Sequence, residues 1–70
     1  MTQRKTMLSA AAMEKLLKKA GAERVSEGAK KELIEFLEEI ALEIGEKALR
    51  LSHHAGRKTI KAVDIKEATK

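Results

Sequence analysis

The 70-residue chain has no cysteine, no proline, no tryptophan and no tyrosine, and its one phenylalanine is Phe36. Without cysteine there is neither a disulfide framework nor a thiolate zinc site. One aromatic ring is too few to form a platform on which the bases of a single strand could stack. No apolar run approaches the ~20 residues of a membrane span, and residues 1–8 lack the apolar stretch of a secretory signal. A single small core in a chain of this size is worth about 3–5 kcal/mol, and natural proteins this short usually carry staples. With the staples missing, the expectation is a small cytoplasmic protein that completes its core with a second chain.

What the chain does have is charge: 15 Lys and Arg against 11 Asp and Glu, a formal net charge of +4 and a pI near 9.6. The distribution is more informative than the total. Residues 1–26 hold six bases and two acids, residues 27–46 two bases and seven acids, and residues 47–70 seven bases and two acids. The ends therefore carry +4 and +5, and the middle carries −5. If the ends meet in space, they form a cationic surface suited to an anionic partner. The alternative is a set of ordinary solvated helix faces.

Periodicity predicts three helices. Ser9 is a good N-cap for a first helix running through Met13, Leu16 and Leu17 to Ala20, and Gly21 supplies a left-handed exit. Ser26 caps a second helix, which meets no breaker stronger than glycine before Gly56. Its apolar positions Ala29, Leu33, Leu37, Ile40, Ile44, Ala48 and Leu51 recur in steps of three and four. A second set, Ile34, Phe36, Ala41 and Leu49, is expected to widen the buried face. Gly28 and Gly45 lie inside this helix and each cost roughly 1 kcal/mol against alanine, so packing has to hold it. Glu23-Arg24-Val25 and Arg57-Lys58-Thr59-Ile60 read as short extended pieces. A last helix from about Ala62 is expected to turn Ile65 and Ala68 inward, with Asp64 in its favourable first turn.

Length then bears on the oligomeric state. A helix from Glu27 to His54 is about 42 Å long, whereas a compact globule of this size is about 28 Å across. The long helix outruns its own monomer, and the two short flanking helices cannot cover it. An obligate intertwined dimer follows, with Leu33, Leu37, Ile40 and Ile44 as its core.

Two segments carry a family resemblance. Ala20-Gly21-Ala22-Glu23-Arg24-Val25-Ser26 resembles the first loop of archaeal histones. His54-Ala55-Gly56-Arg57-Lys58-Thr59-Ile60-Lys61-Ala62, followed by Asp64-Ile65, resembles their second loop and the start of their third helix. The resemblance covers residues 9–70 and implies an all-α histone fold, with short, long and short helices and two short loops. Residues 1–8 would then be a short basic N-terminal extension.

In that family the first loop of one protomer lies beside the second loop of its partner, in a parallel two-stranded patch. This would bring Arg24 near Lys58 and Thr59 of the other chain. The resemblance implies double-stranded DNA as the partner, wrapped without strong sequence preference. Arg24 would enter the minor groove, Thr59 would hold its guanidinium, Lys58 and Lys61 would neutralise phosphates, and Lys15, Lys18 and Lys19 would form a further site where first helices meet. Arg57 and Asp64 would pair to lock the second loop, with a direct DNA contact as the alternative role for Arg57. Leu51, His54, Asp64 and Ile65 would form a contact between dimers, allowing larger assemblies on DNA and pairing with paralogous histones.

The resemblance has departures. The third helix ends sooner than is usual in the family, Val63 stands where an acidic residue is common, and Lys15 stands where arginine is frequent. These weigh against long stacked fibres. Adjacent His53 and His54 point about 100° apart on a helix and so cannot share one metal ion; no metal and no cofactor are expected. The other reading of His53 is a solvated imidazole favoured by the helix C-terminus.

Two functions compete. One is an architectural histone that compacts DNA and is associated with the nucleoid. The other is a histone-fold dimerisation module within a transcription or repair complex. An enzyme is a poor third, because no nucleophile–base arrangement and no phosphate-cradling glycine loop are present; no small-molecule substrate and no membrane partner are expected. The seven glutamates of the central stretch read as the long helix's solvated face.

Overall fold

A computed structural model of the chain describes residues 7–70, and its regular structure there is α1 (Ala10–Lys19), α2 (Glu27–His54) and α3 (Ala62–Ala68), with no strand among the described residues. The protein is therefore all-α, in the order short, long, short. Among the described residues no helix is long and apolar enough to cross a membrane. Of the expected extension at residues 1–8, only Met7 and Leu8 fall within the described residues.

Each helix begins and ends where local chemistry requires. Ser9 is extended (φ −91°, ψ 145°), and its Oγ accepts the Ala12 N–H at 3.0 Å. Leu8 and Met13 occupy the positions on either side of this cap where an apolar staple forms. Ser26 Oγ accepts the Ala29 N–H at 3.0 Å in the same way. Both long exits are Schellman motifs. Behind α1, the Gly21 N–H donates to Lys18 O and the Ala22 N–H to Leu17 O, both at 3.0 Å. Behind α2, the Gly56 N–H donates to His53 O and the Arg57 N–H to Ser52 O, both at 2.9 Å. Gly21 (φ +116°) and Gly56 (φ +72°) supply the left-handed step. Helix α1 stops one residue before the expected end, with Ala20 as its C-cap.

The chain divides into two compact units, one through Glu39 and one from Ile40. Each is a helix, a loop and a helix, and α2 gives one half to each. Among the described residues, Met13 and Ile34 are the buried apolar side chains of the first unit, Ala48 and Ala68 those of the second. Leu33, Leu37, Ile40, Ile44 and Leu51 are half-buried in the single chain, and Ala29 is exposed.

In the single chain, parts of the expected apolar faces stand open. Phe36 is 61% exposed, and Ala41 and Leu49 are also exposed, although Ile34 is buried. Ile34 and Phe36 are two residues apart, so they project about 200° apart on a helix and cannot share one face. On α3, Ala68 is buried but Ile65 is 40% exposed. Asp64 and Ala68, four residues apart, share the inward face, and Ile65 projects about 100° away from it.

Candidate functional site

Loop 2, residues 55–61, is closed by polar groups. Beyond the Gly56 turn, the Arg57 guanidinium forms a bidentate pair with Asp64, with Nη1 to Oδ2 at 2.8 Å and Nη2 to Oδ1 at 2.9 Å. Paired planar forks of this kind fix geometry as well as charge. Asp64 Oδ2 also accepts the Lys61 N–H at 2.8 Å, which starts α3. Asp64 is only 3% exposed. The Arg57 guanidinium, with help from the Lys61 N–H, holds its carboxyl down at about 2, and Asp64 in return holds the guanidinium's proton more tightly.

Two further bonds draw the loop backbone inward. Arg57 Nη1 donates to Thr59 O at 3.2 Å. Ser52 Oγ, in the last turns of α2, lies 3.0 Å from Arg57 O and 3.1 Å from Thr59 O. With its backbone tied from within, loop 2 carries the Lys58, Thr59 and Lys61 side chains exposed. The Lys58 and Lys61 ammonium groups have no ion pair among the described residues.

Loop 1, residues 20–26, has no polar side-chain tie of this kind among the described residues; its side-chain hydrogen bond is the Ser26 cap on α2. Leu17 and Ala22, where a Schellman exit places its apolar contact, line a groove of about 570 Å³ together with Arg24, Val25, Ser26 and Ala29. Arg24 is exposed and makes no ion pair among the described residues. On α1, Lys15 and Lys19 are likewise exposed and unpaired, whereas Lys18 Nζ sits 3.2 Å from Glu14 Oε2. The first unit thus holds Lys15, Lys18, Lys19 and Arg24, and the second holds Lys58, Thr59 and Lys61. Of the residues expected to join dimers, Leu51 is half-buried, His54 and Ile65 are exposed, and Asp64 is committed to Arg57 and Lys61. His53 and His54 border a shallow groove with Arg50. Among the described residues no three His, Cys, Asp or Glu side chains gather where a metal ion could be held.

Three features escaped sequence reasoning. The first is Ser52, fully buried one turn after Ala48; its position at the end of the apolar face was the available signal. The second is Lys30, only 8% exposed. Its Nζ lies 2.6 Å from Glu27 Oε2 and 3.2 Å from Glu14 Oε1, so α1 and the start of α2 share one cation. Those carboxylates, Glu27 foremost, raise the proton affinity of Lys30, and Lys30 and then Lys18 lower that of Glu14. The third is Glu38, whose carboxylate accepts the backbone N–H groups of Met7 and Leu8, the latter at 3.0 Å.

The arrangement offers cations on anchored loops. Residues 6–69 match the family described as histone-like transcription factor (CBF/NF-Y) and archaeal histone. The chain is similar to one of the archaeal histone HAN1 subunits of Thermococcus zilligii, with 56% identity over 63 residues, 90% of this chain and 94% of that relative. It is also similar to probable archaeal histone 3 of Methanocaldococcus jannaschii, with 59% identity over 54 residues, 77% of this chain and 81% of that relative.

Proposed function

Because this chain belongs to the family of histone-like CBF/NF-Y transcription factors and archaeal histones, we propose that it is an architectural double-stranded DNA-binding histone. It wraps and compacts duplexes without strong sequence preference and is associated with the nucleoid. The observation that carries this reading is loop 2. The buried carboxylate of Asp64, in the first turn of α3, is consumed by Arg57, and Lys58 and Lys61 stand exposed beside it with no ion pair among the described residues. A loop rigid in its backbone and cationic at its surface suits phosphate contact, which positions a duplex without reading its sequence. Arg24 is the residue for minor-groove insertion, with Thr59 of a second copy holding its guanidinium. Lys15, Lys18 and Lys19 add phosphate contacts from α1, where Lys18 first has to share its charge with Glu14.

The binding unit is a homodimer. Four small or medium apolar side chains make up the fully buried apolar part of the described chain, while Leu16, Phe36, Leu42, Leu49, Val63 and Ile65 remain exposed. Leu33, Leu37, Ile40 and Ile44, half-buried in one chain, are completed by the second copy. Leu51, His54, Ile65 and the Asp64 edge supply the contact between dimers on DNA, and a paralogous histone is an acceptable partner at either interface. The role is structural and needs no cofactor.

A second reading is a dimerisation module in a transcription or repair complex, favoured by the histone-like transcription factors that the same family includes. Titration of unrelated duplexes across a salt series decides between them. The histone reading requires similar affinity on each sequence and a log–log salt slope of about −0.9 per phosphate neutralised. Lys58→Ala should weaken binding on every duplex alike and reduce the slope by about 1, with helicity unchanged. Arg24→Ala should also weaken binding at unchanged helicity. Absence of duplex binding at moderate salt would give the chain to the module reading.

A further inference from the structure

Among the described residues Ser52 is the one side chain larger than alanine that is completely buried, and it lies in α2, outside the loops themselves. A hydroxyl buried there is costly unless bonded, and alanine would serve the helix better. Its oxygen instead reaches two loop-2 carbonyls, Arg57 O at 3.0 Å and Thr59 O at 3.1 Å. One hydroxyl carries one proton. Thr59 O already receives Arg57 Nη1 at 3.2 Å, whereas Arg57 O has no other donor among the described residues.

Loop 2 bends at Lys58 and Thr59, and the Ser52 hydroxyl faces the carbonyls on both sides of the Lys58 position. The N–H and C=O groups of Lys58 and Ile60 have no partner among the described residues, so the path of the chain at Lys58 is held through its neighbours Arg57 and Thr59.

We propose that Ser52 is a positioning residue that ties the loop-2 backbone on both sides of Lys58 to the end of α2, and thereby fixes where Lys58 meets a duplex phosphate. The proposal rests on the DNA-binding reading for its second half alone; the ordering of the loop is a property of the protein without DNA.

The test compares the wild-type chain with Ser52→Ala, which removes the hydroxyl and keeps the helix. In the absence of DNA, amide exchange at Arg57 and Lys61 should accelerate about fivefold, the loss of one ordinary hydrogen bond, with Gly21 and Ala22 unaffected. On duplex DNA at fixed salt, affinity should fall by a similar factor with the salt slope unchanged, because the same phosphates are still met, less often in the right place. Wild-type exchange rates in Ser52→Ala overturn the proposal. So does accelerated exchange with undiminished affinity in a chain that binds DNA. If the wild-type chain binds no duplex, the DNA-binding reading falls, and with it the DNA half of the proposal; the exchange rates still decide the ordering half.

Discussion

At Gly21 and again at Gly56 the chain leaves a helix by the same backbone device, a left-handed glycine with paired Schellman bonds, and the two exits then differ in the residues that follow the turn. After Gly21, Leu17 and Ala22 sit in the positions of the usual apolar contact. After Gly56 the same two positions are Ser52 and Arg57, and a hydroxyl-to-carbonyl bond joins them. An Arg–Asp pair then completes the second closure. An apolar contact at such positions carries no titratable group and is not directional. Ionic closure is directional and holds a backbone in one register, but it fails when its charge is removed. Of the two, the directional lock belongs to the loop with two exposed lysines that make no ion pair among the described residues.

The contrast can be broken most forcefully at Asp64. Asp64→Asn should lower the thermal midpoint by roughly 10 °C at fixed protein concentration, since a buried guanidinium partner is lost. Exchange should quicken in loop 2 and not in loop 1. The same carboxyl sets an acid limit. Because it is held at about 2, against an ordinary 3.8, its stabilisation is complete above pH 4 and is lost as the pH falls through about 2. In Asp64→Asn that part of the acid dependence should vanish from the pH–stability profile. A profile that keeps its full slope would remove the ionic lock from the account.

The two glycines come next. Nothing lies within 4 Å of a methyl group built at either position, so the cost of alanine is purely conformational. The φ of +72° at Gly56 lies near the left-handed well, whereas +116° at Gly21 lies well beyond it. Thermal scans should therefore show Gly21→Ala losing roughly 6–8 °C and Gly56→Ala less. Equal losses would mean that the loops, not the backbone angles, set the cost. The smallest effect is expected at Ser26→Ala, which removes a helix cap on loop 1 and should cost about 4 °C. Its exchange changes should be confined to the first turn of α2.

The sequence was a good guide wherever a single residue type has a single local job. Ser9, Ser26, Gly21 and Gly56 mark helix ends through capping rules that need no tertiary context, and the bounds of α2 followed from them. The Arg57–Asp64 ion pair lies at the spacing read from the chain, with family resemblance as the guide. Sequence reading did worse where a face had to be assigned. Phe36 was grouped with Ile34 because both are apolar, although helical geometry separates the two. It was silent on Ser52 and Lys30. A serine is usually read as a surface or capping residue, and a lysine as solvated, so neither suggests burial. Their partners, two backbone carbonyls and two glutamates, are defined only by the folded chain.

The placement of Lys30 also bears on chemical modification. An acyl group is transferred only to a neutral amine, and Glu27 and Glu14 keep this amine an ammonium while packing shields it. Reagents or enzymes that acylate lysines would thus reach Lys58, Lys61 and the α1 lysines first. They could lower the affinity for an anion while leaving the joint between α1 and α2 intact.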